Sequence, residues 1–153
     1  MLSLSVAAVS CGGSSVAPSG TSVAAPAVDG LGTAIADEYR AEAIYQGVIA
    51  DFGQVVPFVN VLTAEQRHSA AIAAVMRAYG LAVPADPWTT STVPHFPTFA
   101  AACSAGVTAE QDNIALYDRL LVLDLPAEAR RVFESNRLAS LQNHLPAFAR
   151  CAQ

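Results

Sequence analysis

The chain has 153 residues, the size of one domain, and a formal net charge of −5. Apolar residues make up 53% of it, charged residues 14% and aromatic residues 7%, so its apolar content is mostly Ala, Val and Leu, which favours packed helices over a β-sandwich. Its eight basic residues are arginines scattered without a basic stripe, which argues against a nucleic-acid partner.

The chain opens with a short apolar run that ends in small residues and a cysteine, too short to span a bilayer as a helix. Ala8-Val9-Ser10-Cys11 resembles the lipobox of bacterial lipoproteins, in which the leader is cut before the cysteine and the cysteine receives lipid. The resemblance implies a signal peptide over 1–10, lipidation of Cys11 and membrane anchoring at the cell envelope, on its periplasmic or extracellular face. The alternative is a plain secretory leader, which also places the protein outside the cytoplasm.

The next segment is dominated by Gly, Ser, Ala, Pro and Val, with Asp29 as its one acid. Because it shows no helical period, we predict a flexible tether over 11–32. The tether would hold a folded domain, residues 33–153, away from the membrane.

Two helices are predicted next. The first runs from near Thr33 to Gly53, and its stripe, with steps of three and four, comprises Ile35, Glu38, Glu42, Tyr45, Ile49 and Phe52. The second runs from Pro57, a favoured residue at a helix start, to Gly80, with the stripe Phe58, Leu62, Glu65, His68, Ile72, Val75 and Tyr79. Their short connection predicts an antiparallel pair.

Four prolines between Leu81 and Thr98 exclude a continuous helix, so this segment is predicted to be a long connection. A third stripe then comprises Phe99, Cys103, Gly106, Glu110, Tyr117 and Leu121. A fourth helix starts near Pro126, should bend or loosen at Pro146, and carries the stripe Glu134, Leu138, Leu141, His144 and Phe148. Two hairpins joined by one long crossover predict an all-α, up-down four-helix bundle of the ferritin-like kind.

The inward stripes carry acids and histidines where leucine is usual: Glu38, Glu65, His68, Glu110 and His144. Burying an unpaired carboxylate costs several kcal/mol, and metal coordination is one way to offset that penalty. Glu65 and His68 are three residues apart, the Glu-x-x-His spacing of di-metal sites in bundles.

The two halves of the domain repeat one pattern. Glu38 precedes Tyr45 by seven residues, and Glu110 precedes Tyr117 by seven. Helices two and four carry Glu-Gln-Arg-His at 65–68 and Leu-Gln-Asn-His at 141–144. The pattern predicts a degenerate internal duplication.

These motifs resemble the ferritin-like superfamily, in which Glu from helices one and three and Glu-x-x-His from helices two and four ligate two irons. Glu-Tyr-Arg-Ala-Glu-Ala-Ile-Tyr, Glu-Gln-Arg-His-Ser-Ala-Ala-Ile and Ser-Leu-Gln-Asn-His-Leu-Pro-Ala-Phe look like a bacterial and archaeal ferritin-like family of unknown function, often found in exported proteins. The resemblance spans about 34–150. It implies metal ligation by the five residues above, with Leu141 where a second bridging Glu would stand.

Five ligands suit two ions completed by water, or one ion. A further alternative is that Glu42 or Glu134 serves as a substitute ligand. The alternative is a hydrogen-bonded polar core without metal. Carboxylate-rich ligation favours Fe or Mn over a thiolate-seeking ion. Tyr45 and Tyr117 are expected near the metal as hydrogen-bond donors or redox partners, and core packing is their alternative role.

Two cysteines remain beyond Cys11. Cys103 precedes Glu110 by seven residues and Cys151 follows His144 by seven, so antiparallel helices would bring both cysteines to one end of the bundle. We predict a disulfide between them in an oxidising compartment, and two free thiols are the alternative.

Two functions stay open at this point. One is Fe- or Mn-dependent oxidase or ferroxidase-type chemistry outside the cell, and the other is a non-catalytic lipoprotein module with a degenerate metal site. A ferritin-like cage is less favoured, because a lipid anchor on every chain would hinder closed assembly.

Overall fold

The computed structural model describes residues 22–153, which form a four-helix bundle. The helices are α1 (Ala25–Phe52), α2 (Phe58–Ala78), α3 (Phe99–Leu120), α4 (Ala127–Ala139) and α5 (Leu145–Cys151), with a π-helical turn over Ser140–His144 that joins α4 and α5 into one rod. No strand occurs within 22–153, so the predicted all-α four-helix bundle is confirmed. None of the helices in this range is both long and apolar enough to cross a membrane. The predicted signal peptide, Cys11 and the first half of the tether lie outside the described residues.

The first helix begins eight residues earlier than predicted, at Ala25 instead of near Thr33. The tether prediction is therefore wrong over 25–32, and the domain boundary moves with it. Pro26 lies in the first turn, where its missing N–H is not needed. The buried face continues the helical period through Leu31 and three small residues, Ala27, Gly30 and Ala34.

The chain reverses direction between α1 and α2, whereas α2 and α3 run in the same direction, because their first residues meet: the ring centroids of Phe58 and Phe99 are 5.9 Å apart. Tyr45, late in α1, contacts Phe58 at the start of α2, with ring centroids 5.7 Å apart. Tyr117, late in α3, donates a hydrogen bond to Glu38 in the first half of α1. The crossover between α2 and α3 is the predicted long, non-helical connection, and it starts after Gly80, whose φ of 68° is readily adopted only by glycine.

Two hydrophobic clusters fill the bundle, one toward each end. The first cluster lies around Leu31, Ile72 and Phe133, and the second lies around Phe58 and Phe148. Glu38 and Glu65 lie between these clusters in sequence, on the same buried faces of α1 and α2. Apolar packing above and below therefore encloses a polar layer in the middle of the bundle.

The buried face of the fourth helix differs from the predicted stripe. Glu134 is exposed, and the relative solvent-accessible surface is 47% for Leu138 and 40% for Leu141. The side chains that face the core are Phe133, Asn136, Ser140, His144 and Phe148. The cause is the π-helical turn, in which the Leu145 N–H donates to the Ser140 carbonyl. This turn is wider than an α-helical turn, so Ser140 and His144, four residues apart, lie on one face of the rod. The irregularity expected at Pro146 is present just before it.

The end of the bundle is closed by α3 and α5. Cys103 and Cys151 form a disulfide, with Cα atoms 5.5 Å apart, as the sequence predicts. One turn along α3, a Cβ on Gly106 would lie 2.5 Å from the Phe148 ring. Only glycine therefore allows α5 to approach α3 this closely.

Candidate metal centre

The five predicted ligands meet in the polar layer. Glu38, Glu65 and Glu110 retain at most 2% exposure, and His144 retains 4%. The His68 side chain retains 11%. Four helical rods thus contribute to one buried cluster of three carboxyl groups and two imidazoles.

Glu65 lies at the middle of the cluster. Its Oε2 is 2.8 Å from His68 Nδ1, and its Oε1 is 3.1 Å from His144 Nδ1. Glu38 Oε2 lies 3.5 Å from His68 Nδ1, and Glu110 Oε2 lies 3.4 Å from His144 Nδ1. The cluster is therefore two three-residue groups that share Glu65.

We call Glu38, Glu65 and His68 the first half-site, and Glu65, Glu110 and His144 the second half-site. In each of them, one ligand atom from every residue lies within 4.8 Å of the others. The two imidazole rings stack with centroids 5.5 Å apart. Each half-site can bring three protein ligands to one cation, with a carboxylate of Glu65 common to both.

The two tyrosines bind crosswise between α1 and α3. Tyr45 donates from its hydroxyl to Glu110 Oε1 at 2.7 Å, and Tyr117 donates to Glu38 Oε1. Each tyrosine thus binds Oε1 of a glutamate on the other helix and leaves Oε2 of the same glutamate facing a histidine. The reciprocal pattern matches the internal repeat seen in the sequence, and it supports the expectation that both tyrosines act as hydrogen-bond donors beside the ligands.

Several ligand atoms have unused hydrogen-bonding capacity. Within residues 22–153, Glu38 Oε2, Glu110 Oε2 and His144 Nδ1 are buried without a hydrogen-bond partner. An unsatisfied buried polar atom costs about 1–3 kcal/mol, more when the group is charged. All three atoms face the interior of a half-site, so a cation there would satisfy them. The donor set therefore fits a metal ion.

Burial and mutual contacts strongly perturb these groups. Burial, with the neighbouring Glu65, raises the pKa of Glu38 to about 8. Burial would raise the pKa of Glu65 as well, but contacts with the two histidines outweigh it and hold that pKa below its usual range. Glu65 is therefore ionised in the metal-free cluster.

Both histidines are held in the protonated form. Burial opposes their charge, but the carboxyl groups of Glu38 and Glu65 raise the pKa of His68 to about 10. Glu110 and Glu65 likewise raise the pKa of His144 to about 9. Protons thus occupy the positions that a cation would take, and metal binding must displace them.

The fourth rod supplies no second bridging carboxylate. Leu141 points toward solvent, so the expectation that it stands at a ligand position is wrong; the π-helical turn brings Ser140 inward instead. Ser140 Oγ donates to Asn113 Oδ1 at 2.8 Å, and Asn113 Nδ2 donates to Asp37 Oδ2 at 2.9 Å. Neutral side chains and one half-buried acid therefore occupy this side of the cluster.

The two substitute ligands do not enter the cluster. Glu134 lies on the exposed face of α4, so its expected role is wrong. Glu42 is half-buried and accepts a hydrogen bond from Ser69 Oγ at 2.5 Å instead of facing an imidazole. Asn136, which the sequence did not indicate, donates to the Tyr117 hydroxyl at 3.0 Å and so supports that tyrosine.

Comparison with known proteins adds information on the fold. No family model and no curated protein matches the chain. Its fold is similar to the crystal structure of a hypothetical protein from Methanococcus jannaschii DSM 2661, with a TM-score of 0.75 and 20% sequence identity over 85% of this chain and 81% of that one. At this identity the likeness describes the shared helical architecture.

Proposed function

We propose that this protein is an exported, lipid-anchored bundle that binds two Fe or Mn ions on either side of Glu65 and performs oxidase or ferroxidase-type chemistry. The observation that carries the proposal is the position of Glu65, whose two oxygens lie 2.8 Å and 3.1 Å from different histidines. The carboxylate-rich donor set suits Fe or Mn. The disulfide suits an oxidising compartment, and the lipobox-like motif ending at Cys11 supports the anchor.

The residues of this chain would hold and orient the ions. Glu65 would bridge them, and one carboxylate with one imidazole would complete each half-site. Two such ions would supply redox chemistry, the reduction of dioxygen to hydrogen peroxide, with two electrons from two Fe(II) ions and two protons taken up. Tyr45 and Tyr117 would keep Glu38 and Glu110 oriented during the reaction, and the apolar clusters on both sides would limit access of water.

A second candidate is metal binding without turnover. It is favoured by the fourth rod, whose buried side chain next to His144 in the π-helical turn is the neutral Ser140, bonded to Asn113, and not a second carboxylate. With fewer charged ligands, an Fe(III) pair is stabilised less. This candidate shares the metal site and differs in the predicted rate of iron oxidation.

The test is metal analysis of protein purified without chelator, followed by Fe(II) oxidation in air. We expect close to two ions per chain and oxidation well above the rate in buffer. Glu65→Gln should lose most bound metal, whereas Glu134→Gln, the same change on an exposed face, should retain it. Bound iron without faster oxidation would favour the second candidate, and folded wild-type protein that binds no metal would contradict both.

A further inference from the structure

A narrow cavity between α1 and α3 connects the protein surface to the second half-site. Its volume is about 30 Å³, room for one or two water molecules. Arg40 and Asp112 are exposed at its outer part, Asp37 is half-buried, and Glu65 and Glu110 are buried at its inner part. The exposure of the lining side chains thus decreases from the solvent to the cluster.

The inner end of the cavity is lined by a carboxylate that can accept a further ligand. Glu110 lines it with 2% residue exposure, and among the described residues its Oε2 accepts no hydrogen bond. Tyr45 lines the same end and holds the other oxygen of Glu110. A cation that reaches this point would therefore meet an unpartnered carboxylate oxygen.

Asp37 stands between the solvent and that oxygen. Its Oδ2 accepts a hydrogen bond from Asn113, and Asn113 in turn accepts one from Ser140. This chain fixes the Asp37 carboxyl group on the wall of the cavity. A cation has to shed most of its water in a space this small, and a fixed carboxylate is a suitable replacement ligand for Mn²⁺ or Fe²⁺.

We propose that the cavity between α1 and α3 is the access route for divalent cations to the metal centre, and that Asp37 is a transit ligand within it. The inference rests on the proposed metal site. Asp37 acts on the rate at which ions reach the cluster, because it contributes to the path and belongs to neither half-site. Electrostatic guidance of this kind changes association rates by tenfold or more.

The experiment is stopped-flow mixing of the chelator-stripped full chain with Co²⁺, followed by the visible absorbance of bound Co²⁺. Equilibrium dialysis gives the number of ions that each variant holds at the end. Asp37→Asn removes the charge and still accepts the hydrogen bond from Asn113. Ala109→Leu narrows the cavity without a change in charge, because Ala109 is part of its wall. Asp29→Asn is the control, since it removes one exposed charge from the same helix outside the cavity.

We expect Asp37→Asn and Ala109→Leu to load Co²⁺ roughly tenfold more slowly than wild type, with the final number of ions unchanged, while Asp29→Asn loads at the wild-type rate. If both cavity variants load as fast as wild type to the same final number, the access route is overturned and the metal site stands. If the wild-type protein binds no Co²⁺, Mn²⁺ or Fe²⁺, the proposed function and the access route are overturned together.

Discussion

Metal binding should release protons from the cluster, and the structure gives their number. At pH 7, His68, His144 and Glu38, with pKa values of about 10, 9 and 8, are almost fully protonated in the metal-free protein. Each must lose its proton to become a ligand. Filling both half-sites at pH 7 should therefore release about three protons per chain, one from each group. Burial also raises the pKa of Glu110.

The number should fall as the pH rises. At pH 9, Glu38 is already ionised and His144 is about half deprotonated, so the release should be about half of that at pH 7. The assay is titration with Mn²⁺ in a weakly buffered indicator solution without oxygen. Calorimetry in two buffers with different heats of ionisation gives an independent count. Release of less than one proton at pH 7 with two ions bound would refute this description of the cluster.

Three further predictions concern stability and anchoring. The metal-free protein should lose thermal stability as the pH rises from about 6.5 to 10, because folding raises the pKa of His68 and His144. Such a histidine stabilises the fold fully below the pKa it has in the unfolded chain, and that contribution is lost as the pH rises through the pKa it has in the folded protein. Bound Mn²⁺ should flatten this dependence of melting temperature on pH, and the same dependence with and without Mn²⁺ would contradict the prediction. Gly106→Ala should destabilise the fold by about 1–3 kcal/mol in urea unfolding, because its Cβ meets the buried Phe148 ring, whereas Gly32→Ala, with open space around its Cβ, should not destabilise it. Cys11→Ser should move the expressed protein from the detergent phase to the aqueous phase in phase partition, and unchanged partition would contradict lipidation.

The sequence was sufficient to predict the residues of the buried cluster, because acidic residues at inward positions interrupt the apolar pattern of a helical stripe. Glu38, Glu65 and Glu110 occupy positions where apolar residues are expected, and the repeat of Glu and Tyr at seven residues connects α1 with α3. The structure brings these residues together with His68 and His144. Periodicity on long, regular helices thus predicted both the bundle and the content of its polar layer.

Three features of the structure could not be predicted by the same reasoning. The start of α1 is rich in Gly and Ala, which pack closely in a bundle but have the composition of a linker, so the helix over 25–32 was missed. The fourth rod contains a π-helical turn, and its wider turn brings Ser140 inward in place of Leu141. Asp37 and Asn113 lie beside the predicted stripes, and their contact depends on how α1 and α3 pack against each other.

The central claim is that Glu65 bridges two cations, and anomalous diffraction from crystals soaked in Mn²⁺ tests it most directly. We predict two peaks, one among Glu38, Glu65 and His68 and the other among Glu65, Glu110 and His144. A single peak, or none, beside an ordered Glu65 would contradict the claim.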